Sequence, residues 1–373
     1  MNKKQNLVNK LKSKDPTKYN LVIGFDGFVD EIIHVVDKRQ DPKNFTRVKT
    51  IKAFSDKIAR ASGLSSNIEF VPINTKIGGN GPIMCNALAK HNPKITYIGT
   101  LGYPEIHNVF KPLEEKATIY TIEKHGNTEA VEFNDGKLIL GKMNSLVNVD
   151  YKHLTNIVSE DKLKELIGNA DLFATVNWSM LPNMTDIWKN IDKKILPNLN
   201  IKAKKPLMFI DIADPEKREP KDIIEALDLL KNFKSYFNVI LGLNKKEAYD
   251  VSVILGLFNN KTIKNKNLQE VNQALFNYLK IDYVVIHPVE CSSVTYKNNY
   301  YQEDGPYIKN PKLTTGAGDN FNAGFILGLL LDLYPDEALL MGMATSGFYV
   351  RNAKSPNFNQ LINFINKWND NKL

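Results

Sequence analysis

The chain of 373 residues contains only two cysteines, Cys85 and Cys291. No apolar run approaches the roughly 18–20 residues that a membrane-spanning helix needs. The basic amino terminus is not followed by an apolar segment, so no secretory signal is expected. A single disulfide is not required by anything in the sequence, and a reducing environment is the simpler interpretation. We therefore predict a cytoplasmic protein that does not associate with membranes.

Several common functional signatures are also absent. No Gly-x-x-x-x-Gly-Lys-Ser/Thr string occurs, which excludes a P-loop enzyme, and no Gly-x-Gly-x-x-Gly string marks a dinucleotide site. The six histidines lack the spacing of zinc ligands. The formal net charge of +8 favours anionic ligands such as nucleotides and sugar phosphates. Because the lysines are dispersed and no recognition module accompanies them, no nucleic-acid partner is expected.

The dominant pattern is an alternation of short apolar strands with helical segments. Such strands are typical of a parallel sheet buried on both faces between helix layers, so the sequence predicts an α/β fold. The predicted strands are Leu21–Phe25, Ile95–Gly99, Leu172–Val176, Leu207–Ile212, Val239–Leu243 and Tyr283–His287. The clearest predicted helices are Ile83–Lys90, Asp186–Leu196, Pro220–Lys231, Leu268–Leu279 and Ala323–Leu331.

Residues 35–75 and 117–145 interrupt this alternation. The second stretch is typical of a β-meander, with strands at Thr118–Glu123, Thr128–Phe133 and Lys137–Gly141 and an Asn-Asp-Gly hairpin turn. We interpret both stretches as a small β-rich lid, the alternative being surface loops. The α/β body then comprises residues 19–34, 76–116 and 146–373, and residues 1–18 form an amino-terminal extension of unknown role.

The most informative segment runs from Thr314 to Gly324. Glycine at 316 and 318 permits a tight turn, and the amides of Gly316, Ala317 and Gly318 would lie at a helix amino terminus that attracts anions. Asp319 follows in the first helical turn, placed to accept a proton from an attacking hydroxyl. The alternative is an ordinary Asp that caps a helix after a glycine-rich turn.

Thr315-Gly316-Ala317-Gly318-Asp319, followed by Phe321-Asn322-Ala323-Gly324, resembles the carboxyl-terminal signature of the ribokinase-like (PfkB-type) carbohydrate kinase family. The resemblance extends from about Leu21 to Ala353. It implies a three-layer ribokinase-like sandwich with a mostly parallel central sheet and a small β-rich lid. Further matching motifs are Gly78-Gly79-Asn80-Gly81-Pro82, Tyr97–Gly102, Asp211–Pro215 with Arg218, and Asn244-Lys245-Lys246-Glu247.

The resemblance also implies roles for individual residues. Asn244 and Glu247 would organise Mg²⁺ through water, and their position three residues apart after a buried strand fits this, although they would equally serve as a helix-capping pair. Thr315 and Asn352 would border the nucleotide. The acceptor substrate would be held by Asp26, Asp30, Gly78, Gly79 and Asn80.

Two departures from the family pattern stand out. Ile83 occupies the position where the family usually has an acceptor-binding Asn, and His287-Pro288-Val289-Glu290-Cys291 replaces its glycine-rich turn under the nucleotide. The acceptor class therefore stays open among fructose-type sugars, ribose-type sugars and nucleosides.

From these features we predict ATP- and Mg²⁺-dependent phosphorylation of a hydroxyl on a sugar or sugar-containing molecule, with Asp319 as general base. The alternatives are a catalytically silent nucleotide- or sugar-binding protein on the same fold and an ADP-dependent sugar kinase. A homodimer through the lid is a further hypothesis that rests on the family resemblance.

Overall fold

The computed structural model describes residues 3–200 and 202–373, and the elements below belong to these residues. The strands are β1 (Asn20–Phe25), β2 (Phe28–Arg39), β3 (Phe45–Arg47), β4 (Phe70–Gly78), β5 (Lys94–Gly99), β6 (Thr118–Thr121), β7 (Gly126–Phe133), β8 (Gly136–Lys142), β9 (Leu172–Thr175), β10 (Leu207–Asp211), β11 (Asn238–Leu243), β12 (Tyr283–Ile286), β13 (Cys291–Tyr296) and β14 (Asn299–Asp304).

The helices are α1 (Lys3–Leu11), α2 (Ile51–Ala59), α3 (Asn80–Ala89), α4 (Lys111–Glu114), α5 (Tyr151–Ile157), α6 (Glu160–Asn169), α7 (Met184–Asn190), α8 (Pro220–Leu229), α9 (Lys245–Ile254), α10 (Leu268–Leu279), α11 (Ala317–Leu330), α12 (Pro335–Asn352) and α13 (Phe358–Asn369). Within the described ranges, no helix combines the length and the apolar character needed to cross a bilayer.

A nine-stranded sheet forms the centre of the molecule, in the order β14-β13-β12-β11-β10-β9-β1-β5-β6. The strands from β12 to β6 run parallel, and the β13–β14 hairpin adds two antiparallel strands at one edge. All six predicted apolar strands lie in the parallel part. The mostly parallel sheet predicted from the sequence is therefore confirmed.

Helices cover both faces of this sheet and enclose two separate hydrophobic cores. Successive residues of a strand point to opposite faces, so Ile23 of β1 belongs to one core and the adjacent Val22 to the other. Helices α1, α3, α11, α12 and α13 contribute to the first core, and α5 to α10 contribute to the second. The three-layer sandwich is thus explained by strands that are apolar on both faces.

A second, smaller sheet stands beside the body, and we refer to it as the small sheet. Its central strand β2 pairs with β4 in antiparallel and with β7 in parallel orientation, while β3 and β8 extend it. Its apolar face has a core of its own with α2, built from Val35, Val48, Phe54, Val131 and Phe133. The predicted hairpin between β7 and β8 is confirmed.

One strand predicted for the lid belongs to the body instead. Thr118–Thr121 forms β6, which pairs in parallel with β5 from Thr96↔Thr118 to Gly99↔Thr121. The prediction that Thr118–Glu123 begins the meander is therefore wrong. A short strand of mixed polarity can form the edge of either sheet. The chain returns to the body sheet through a crossover that contains α4, and the sequence of the strand itself does not indicate this connection.

The amino-terminal segment contributes to the core of the body. Leu7, Val8 and Leu11 of α1 are fully buried against the first core, where α1 contacts α12 and α13. An ion pair of 2.6 Å between Lys10 Nζ and Glu337 Oε1 joins α1 to α12. Residues 3–11 therefore form an integral helix of the body.

Replacing Leu7 by Ala should lower the free energy of unfolding by about 2–5 kcal/mol, because it leaves a cavity beneath α1. Urea denaturation followed by circular dichroism measures this change. Lys12→Ala, at an exposed position just past the helix, should change it by less than about 0.5 kcal/mol. Similar small effects for both variants would mean that α1 adds little to the core.

Candidate active site

Polar side chains converge at the carboxyl ends of the central parallel strands. Asp26 follows β1, Asp211 ends β10, and Glu247 lies in the first turn of α9 directly after β11. Asp319 lies in the first turn of α11, and the charges of Asp26, Asp211 and Glu247 all act on its carboxyl group. This edge is where α/β sheets bind their ligands.

The start of α11 has the geometry expected of an anion-binding turn. Gly316, the N-cap residue, has φ of +88°, a left-handed conformation that favours glycine. The i→i−4 hydrogen bonds of the helix begin at Asn320, whose amide donates to Gly316 O (3.0 Å), so the amides before it lack a helical acceptor. Of these, the Ala317 amide already donates to Thr314 O (3.0 Å). Gly316 and Gly318 are therefore better placed than Ala317 to receive an anion.

Asp319 is only 9% exposed and lies among other acidic groups. Burial raises its pKa well above the ordinary range, and the charges of Asp211, Asp26 and Glu247 raise it further. A carboxyl group in this setting binds a proton tightly. Burial first, and the acidic neighbours second, therefore favour the protonated form of Asp319 in the ligand-free protein.

Asp211 begins a motif that matches the family, although the sequence alone predicted no role for it. It accepts hydrogen bonds from the Ala213 amide (2.7 Å) and from Asn322 Nδ2 (3.0 Å). Burial raises the pKa of Asp211 to about 6. The bond from Asn322 ties α11 to β10 and fixes the turn that carries Asp319 relative to the sheet.

Asn244 and Glu247 form a reciprocal helix cap at the start of α9. Asn244 Oδ1 accepts from the Glu247 amide (2.9 Å), and Glu247 Oε2 accepts from the Asn244 amide (2.8 Å). The capping interpretation is therefore confirmed. Burial raises the pKa of Glu247 to about 8, and the charges of Asp211 and Asp214 add to that effect.

The donor set is compatible with Mg²⁺ held largely by water and phosphate oxygens. Among residues 3–200 and 202–373, no cluster of three acidic, His or Cys side chains is arranged to hold a metal ion directly. Yet burial raises the pKa values of Asp211, Glu247 and Asp319, and repulsion from neighbouring acidic groups raises those of Glu247 and Asp319 further. A hydrated divalent cation relieves that repulsion, and Mg²⁺ commonly retains several waters.

Asp26 lies beneath the Gly78–Gly81 loop and is fully buried. Its carboxylate accepts from the Gly81 amide (2.9 Å) and from Asn177 Nδ2 (2.7 Å), and burial raises its pKa to about 6. A Cβ at Gly79 would lie 2.7 Å from Asp26 Oδ2, so only glycine allows the loop to wrap around this carboxylate. Asp26 therefore holds the Gly78–Gly81 loop in position through the hydrogen bond from the Gly81 amide.

Asp30 lies on β2, where the small sheet meets the body. Its carboxylate fills the space that a Cβ at Gly78 would need, and it is hydrogen-bonded to Thr128. Burial raises the pKa of Asp30, while the neighbouring charges of Lys76 and Lys137 oppose that effect. Asp30 is slightly exposed, unlike Asp26, and lies beside the loop that opens at Asn80 into α3.

Ile83 of α3, which departs from the family pattern, lies beside the Gly316–Gly318 turn. A Cβ at Gly316 would lie 3.1 Å from Ile83 Cγ2 and 3.0 Å from the hydroxyl of Tyr349. That hydroxyl donates to Thr315 O (2.8 Å). An apolar side chain in this position supports the turn by packing.

An apolar cavity of about 350 Å³ opens on the other side of the α11 amino terminus. It is lined in part by Ala317, Gly318, Pro288, Val289 and Tyr307. The His287 ring lies at the base of this region, 4.8 Å from the Phe321 ring between centroids. The altered turn after β12 therefore forms a wall of this cavity.

The structure does not bring every predicted residue to the site. The Asn352 side chain is exposed at the end of α12 and donates to Phe348 O one turn earlier (2.8 Å). Thr315 directly precedes the Gly316–Gly318 turn, and its hydroxyl accepts from Lys137 Nζ (2.8 Å).

Sequence reasoning did not single out Asn177, Asn322 or Lys137. Asn177 follows β9 in the left-handed conformation (φ +62°), and its Oδ1 has no hydrogen-bond partner among residues 3–200 and 202–373. A polar residue after a buried strand was the available signal for Asn177. No local pattern marks Lys137, which approaches the site only through the folding of the small sheet.

A larger cavity of about 720 Å³ lies at the opposite end of the body sheet. It is lined by residues at the amino ends of β10, β11 and β12, namely Leu207, Asn238 and Tyr283. The acidic groups described above lie at the carboxyl ends of these strands. Although this cavity is larger, it lies at the end of the sheet opposite to Asp319.

Solved structures of several sugar and nucleoside kinases share this fold. Ribokinase of Arabidopsis thaliana matches with a TM-score of 0.62 and 15% identity, covering 94% of this chain and 99% of that protein. Adenosine kinase from Sinorhizobium meliloti matches with a TM-score of 0.65 and 15% identity, covering 94% of this chain and 100% of that one. The resemblance to ribokinase-like kinases is confirmed, and the protein is a carbohydrate kinase of that fold.

The particular family follows from two sequence comparisons. The model of the prokaryotic ketohexokinases matches residues 6–368. Ketohexokinase of Haloferax volcanii is 26% identical over 355 residues, which cover 94% of this chain and 92% of that protein. The chain belongs to the prokaryotic ketohexokinase family.

Gly81→Ala should destabilise the protein by about 1–3 kcal/mol and reduce activity, because the new methyl group would lie 2.5 Å from Asp26 Oδ1. Gly168→Ala in α6 is the control, since its methyl group meets only Leu199 Cδ2 at 3.4 Å. The control should be neutral or stabilising by up to about 1 kcal/mol. Thermal unfolding tests both, and an unaffected Gly81 variant would contradict the close fit around Asp26.

Glu247→Gln should make the ligand-free protein more stable at pH 8 and less active. Between the ordinary glutamate pKa of 4.5 and the folded-state pKa of about 8, native Glu247 retains a proton that the unfolded chain releases, so its contribution to stability falls as pH rises. Removing the charge should therefore raise the free energy of unfolding by at least about 1 kcal/mol at pH 8, and this increase should become smaller towards pH 4.5. Chemical denaturation across this pH range measures it.

Glu270→Gln is the matched control for that experiment. Glu270 closes an equivalent cap with Asn267, but it is exposed, and its hydrogen bond from Lys266 lowers its pKa. Its contribution to stability is present above the ordinary pKa, so the variant should be no more stable than the wild type at pH 8. A gain of equal size in both variants would show that the burial of Glu247 is not its cause.

Proposed function

We propose that this protein transfers the γ-phosphoryl group of ATP to a hydroxyl of a ketohexose, with Mg²⁺ and with Asp319 as general base. The observation that carries the proposal is the placement of Asp319 at the glycine turn of α11, where Ala317 and Gly318 line the apolar cavity and the charge of Asp26, beneath the Gly78–Gly81 loop, acts on its carboxyl group. Membership of the prokaryotic ketohexokinase family and the ketohexokinase from Haloferax volcanii support the choice of acceptor.

The chemical step conserves atoms and charge as follows. The acceptor hydroxyl oxygen forms a bond to the γ-phosphorus while the bond from that phosphorus to the bridging β–γ oxygen breaks. The electron pair of the broken bond leaves with ADP, and the hydroxyl proton passes to the Asp319 carboxylate. The amides of Gly316 and Gly318 and the dipole of α11 stabilise the negative charge on the transferred group.

Mg²⁺ would neutralise phosphate charge when bound. Asp211 and Glu247 would hold its waters, and their negative charges favour a cation at this place. The raised pKa of Asp319 in the ligand-free protein follows from burial and these acidic neighbours. With a cation held there, the pKa of Asp319 would fall and its carboxylate would be available as a base.

The donor base would occupy the apolar cavity of about 350 Å³ beside Gly318, whose size falls within the usual range for small-molecule sites. ATP is the proposed donor, in keeping with the Arabidopsis thaliana ribokinase, which was solved with ribose and ATP. The turn at His287–Val289 replaces the glycine-rich turn without removing the cavity. This favours a functional kinase over a silent binding protein.

The acceptor would lie between the Gly78–Gly81 loop and Asp30. A carboxylate accepts protons from several hydroxyl groups, which suits a polyol. Asn177 Oδ1, which is buried and has no hydrogen-bond partner in the described part of the chain, offers a further acceptor after β9. The small sheet would act as a lid that excludes water during transfer. We retain a homodimer through this sheet as a hypothesis that sedimentation tests.

Steady-state assays with fructose and other ketohexoses, and with ribose and nucleosides as comparison acceptors, test the proposal. Asp319→Asn should lower kcat by about 10²–10⁴-fold, since it removes the base and keeps the shape. Asp332→Asn, at an exposed site by the opposite end of the sheet, should keep wild-type activity. Retention of full activity by Asp319→Asn would refute the assignment, and faster turnover with ADP than with ATP would identify an ADP-dependent kinase.

A further inference from the structure

A lysine of the small sheet contacts the residue that precedes the Gly316–Gly318 turn, which we refer to as the catalytic turn. Lys137 lies at the start of β8, and its Nζ donates to Thr315 Oγ1 at 2.8 Å. Thr315 immediately precedes Gly316, and Tyr349 holds the Thr315 carbonyl by a hydrogen bond of 2.8 Å. The Lys137 ammonium is thus placed one residue from the amides that would receive the transferred phosphoryl group.

The register of the small sheet explains why Lys137 points to the site. Asp30 of β2 pairs with Lys76 on one side and with Thr128 on the other. Side chains alternate along β7, so Glu132 shares a face with Thr128, and Glu132 pairs in turn with Lys137. Val131 and Phe133, which flank Glu132 along β7, contribute to the small hydrophobic core on the opposite face. One face of the small sheet therefore presents a set of charged groups to the body.

The interactions of Lys137 leave hydrogen-bonding capacity for an anion. An ammonium group has three N–H donors, and one of them is directed to the neutral hydroxyl of Thr315. Lys137 also forms an ion pair with Glu132, but the distance from Lys137 Nζ to Glu132 Oε1 is 3.6 Å, which is too long for a good hydrogen bond. The Lys137 side chain is 24% exposed, so an anion at the catalytic turn can reach it.

The excess of negative charge at the site also favours a cationic side chain beside the catalytic turn. Asp26, Asp211, Glu247 and Asp319 are all acidic, and a nucleotide γ-phosphate adds further negative charge beside them. Lys245 and Lys246 follow β11, but Lys246 is engaged by Glu216 (2.7 Å) and Asp250 (2.9 Å). Lys137 is the lysine that a hydrogen bond places at the catalytic turn.

We propose that Lys137 is a catalytic residue supplied by the small sheet, whose ammonium binds the transferred phosphoryl group at the Gly316–Gly318 turn. This rests on the proposed kinase activity. The equatorial oxygens of the phosphoryl group accept from Lys137 Nζ while the acceptor oxygen bonds to phosphorus, the bond to ADP breaks and the proton goes to Asp319. Lys137 keeps its own proton throughout and acts by charge.

This assignment couples closure of the small sheet to catalysis. Without a phosphoryl group, the contact between the small sheet and the turn is a hydrogen bond from an ammonium to a hydroxyl. With one, the same ammonium binds an anion in a site shielded from water, where the interaction is stronger. A bound phosphoryl group therefore favours contact between the small sheet and the catalytic turn more than the free sugar does.

Lys137→Met, which keeps much of the length and removes the charge, is the test. It should lower kcat by about 10²-fold and weaken binding of the phosphorylated ketohexose product at least about tenfold, with sugar affinity changed less than about threefold. Lys137→Arg should recover at least about tenfold of the lost kcat, since the charge is restored. Lys142→Met is the control at the far end of the same strand, where Lys142 pairs with Glu129 in solvent, and it should match the wild type.

Steady-state kinetics, calorimetric titration with the sugar and with its phosphate ester, and thermal unfolding separate the outcomes. A Lys137→Met variant with wild-type kcat and wild-type product affinity would overturn the inference. So would equal losses in sugar affinity, product affinity and unfolding temperature, because these indicate a purely structural role. If the wild-type protein phosphorylates no ketohexose, the proposed function fails, and the titration with the phosphate ester still decides whether Lys137 binds a phosphoryl group.

Discussion

The burial of several carboxyl groups at one edge of the sheet is the constraint on which the rest of this structure depends. Asp26, Asp211, Glu247 and Asp319 have raised pKa values, each chiefly because of burial. Like charges that are withdrawn from water are costly unless hydrogen bonds or a cation compensate them. The local geometry around each group supplies those hydrogen bonds, and the cation would arrive with the nucleotide.

Each compensating contact also fixes a piece of backbone. Asp26 holds the glycine loop that opens α3, Glu247 caps α9, and Asp211 receives the side chain of Asn322 from α11. The elements that carry the site are therefore positioned by the same groups whose charges define its chemistry. This explains why glycine is needed at 79 and 81, where a methyl group would collide with a carboxylate, and at 316, where the backbone is left-handed.

The two departures from the family motifs have physical explanations in the fold. Ile83 packs on the Gly316 turn, so the position has exchanged a polar contact for apolar support. The turn that begins at His287 keeps a neutral ring beneath Gly318, since burial lowers the pKa of His287 to about 4. Neither change disturbs the placement of Asp319.

Local sequence patterns were enough to predict the α/β class, the parallel strands, several of the helices and the turn around Asp319, because apolar periodicity and glycine conformation act over a few residues. They did not predict that Thr118–Thr121 joins the body sheet, that α1 packs into the core, or that the exposed Asn352 side chain bonds to Phe348 O within its own helix. They also could not place Lys137 beside Thr315, a contact between residues 178 positions apart. Such pairings are decided by strand order and register, which follow from the sum of many weak contacts across the whole molecule, so the tertiary structure alone specifies them.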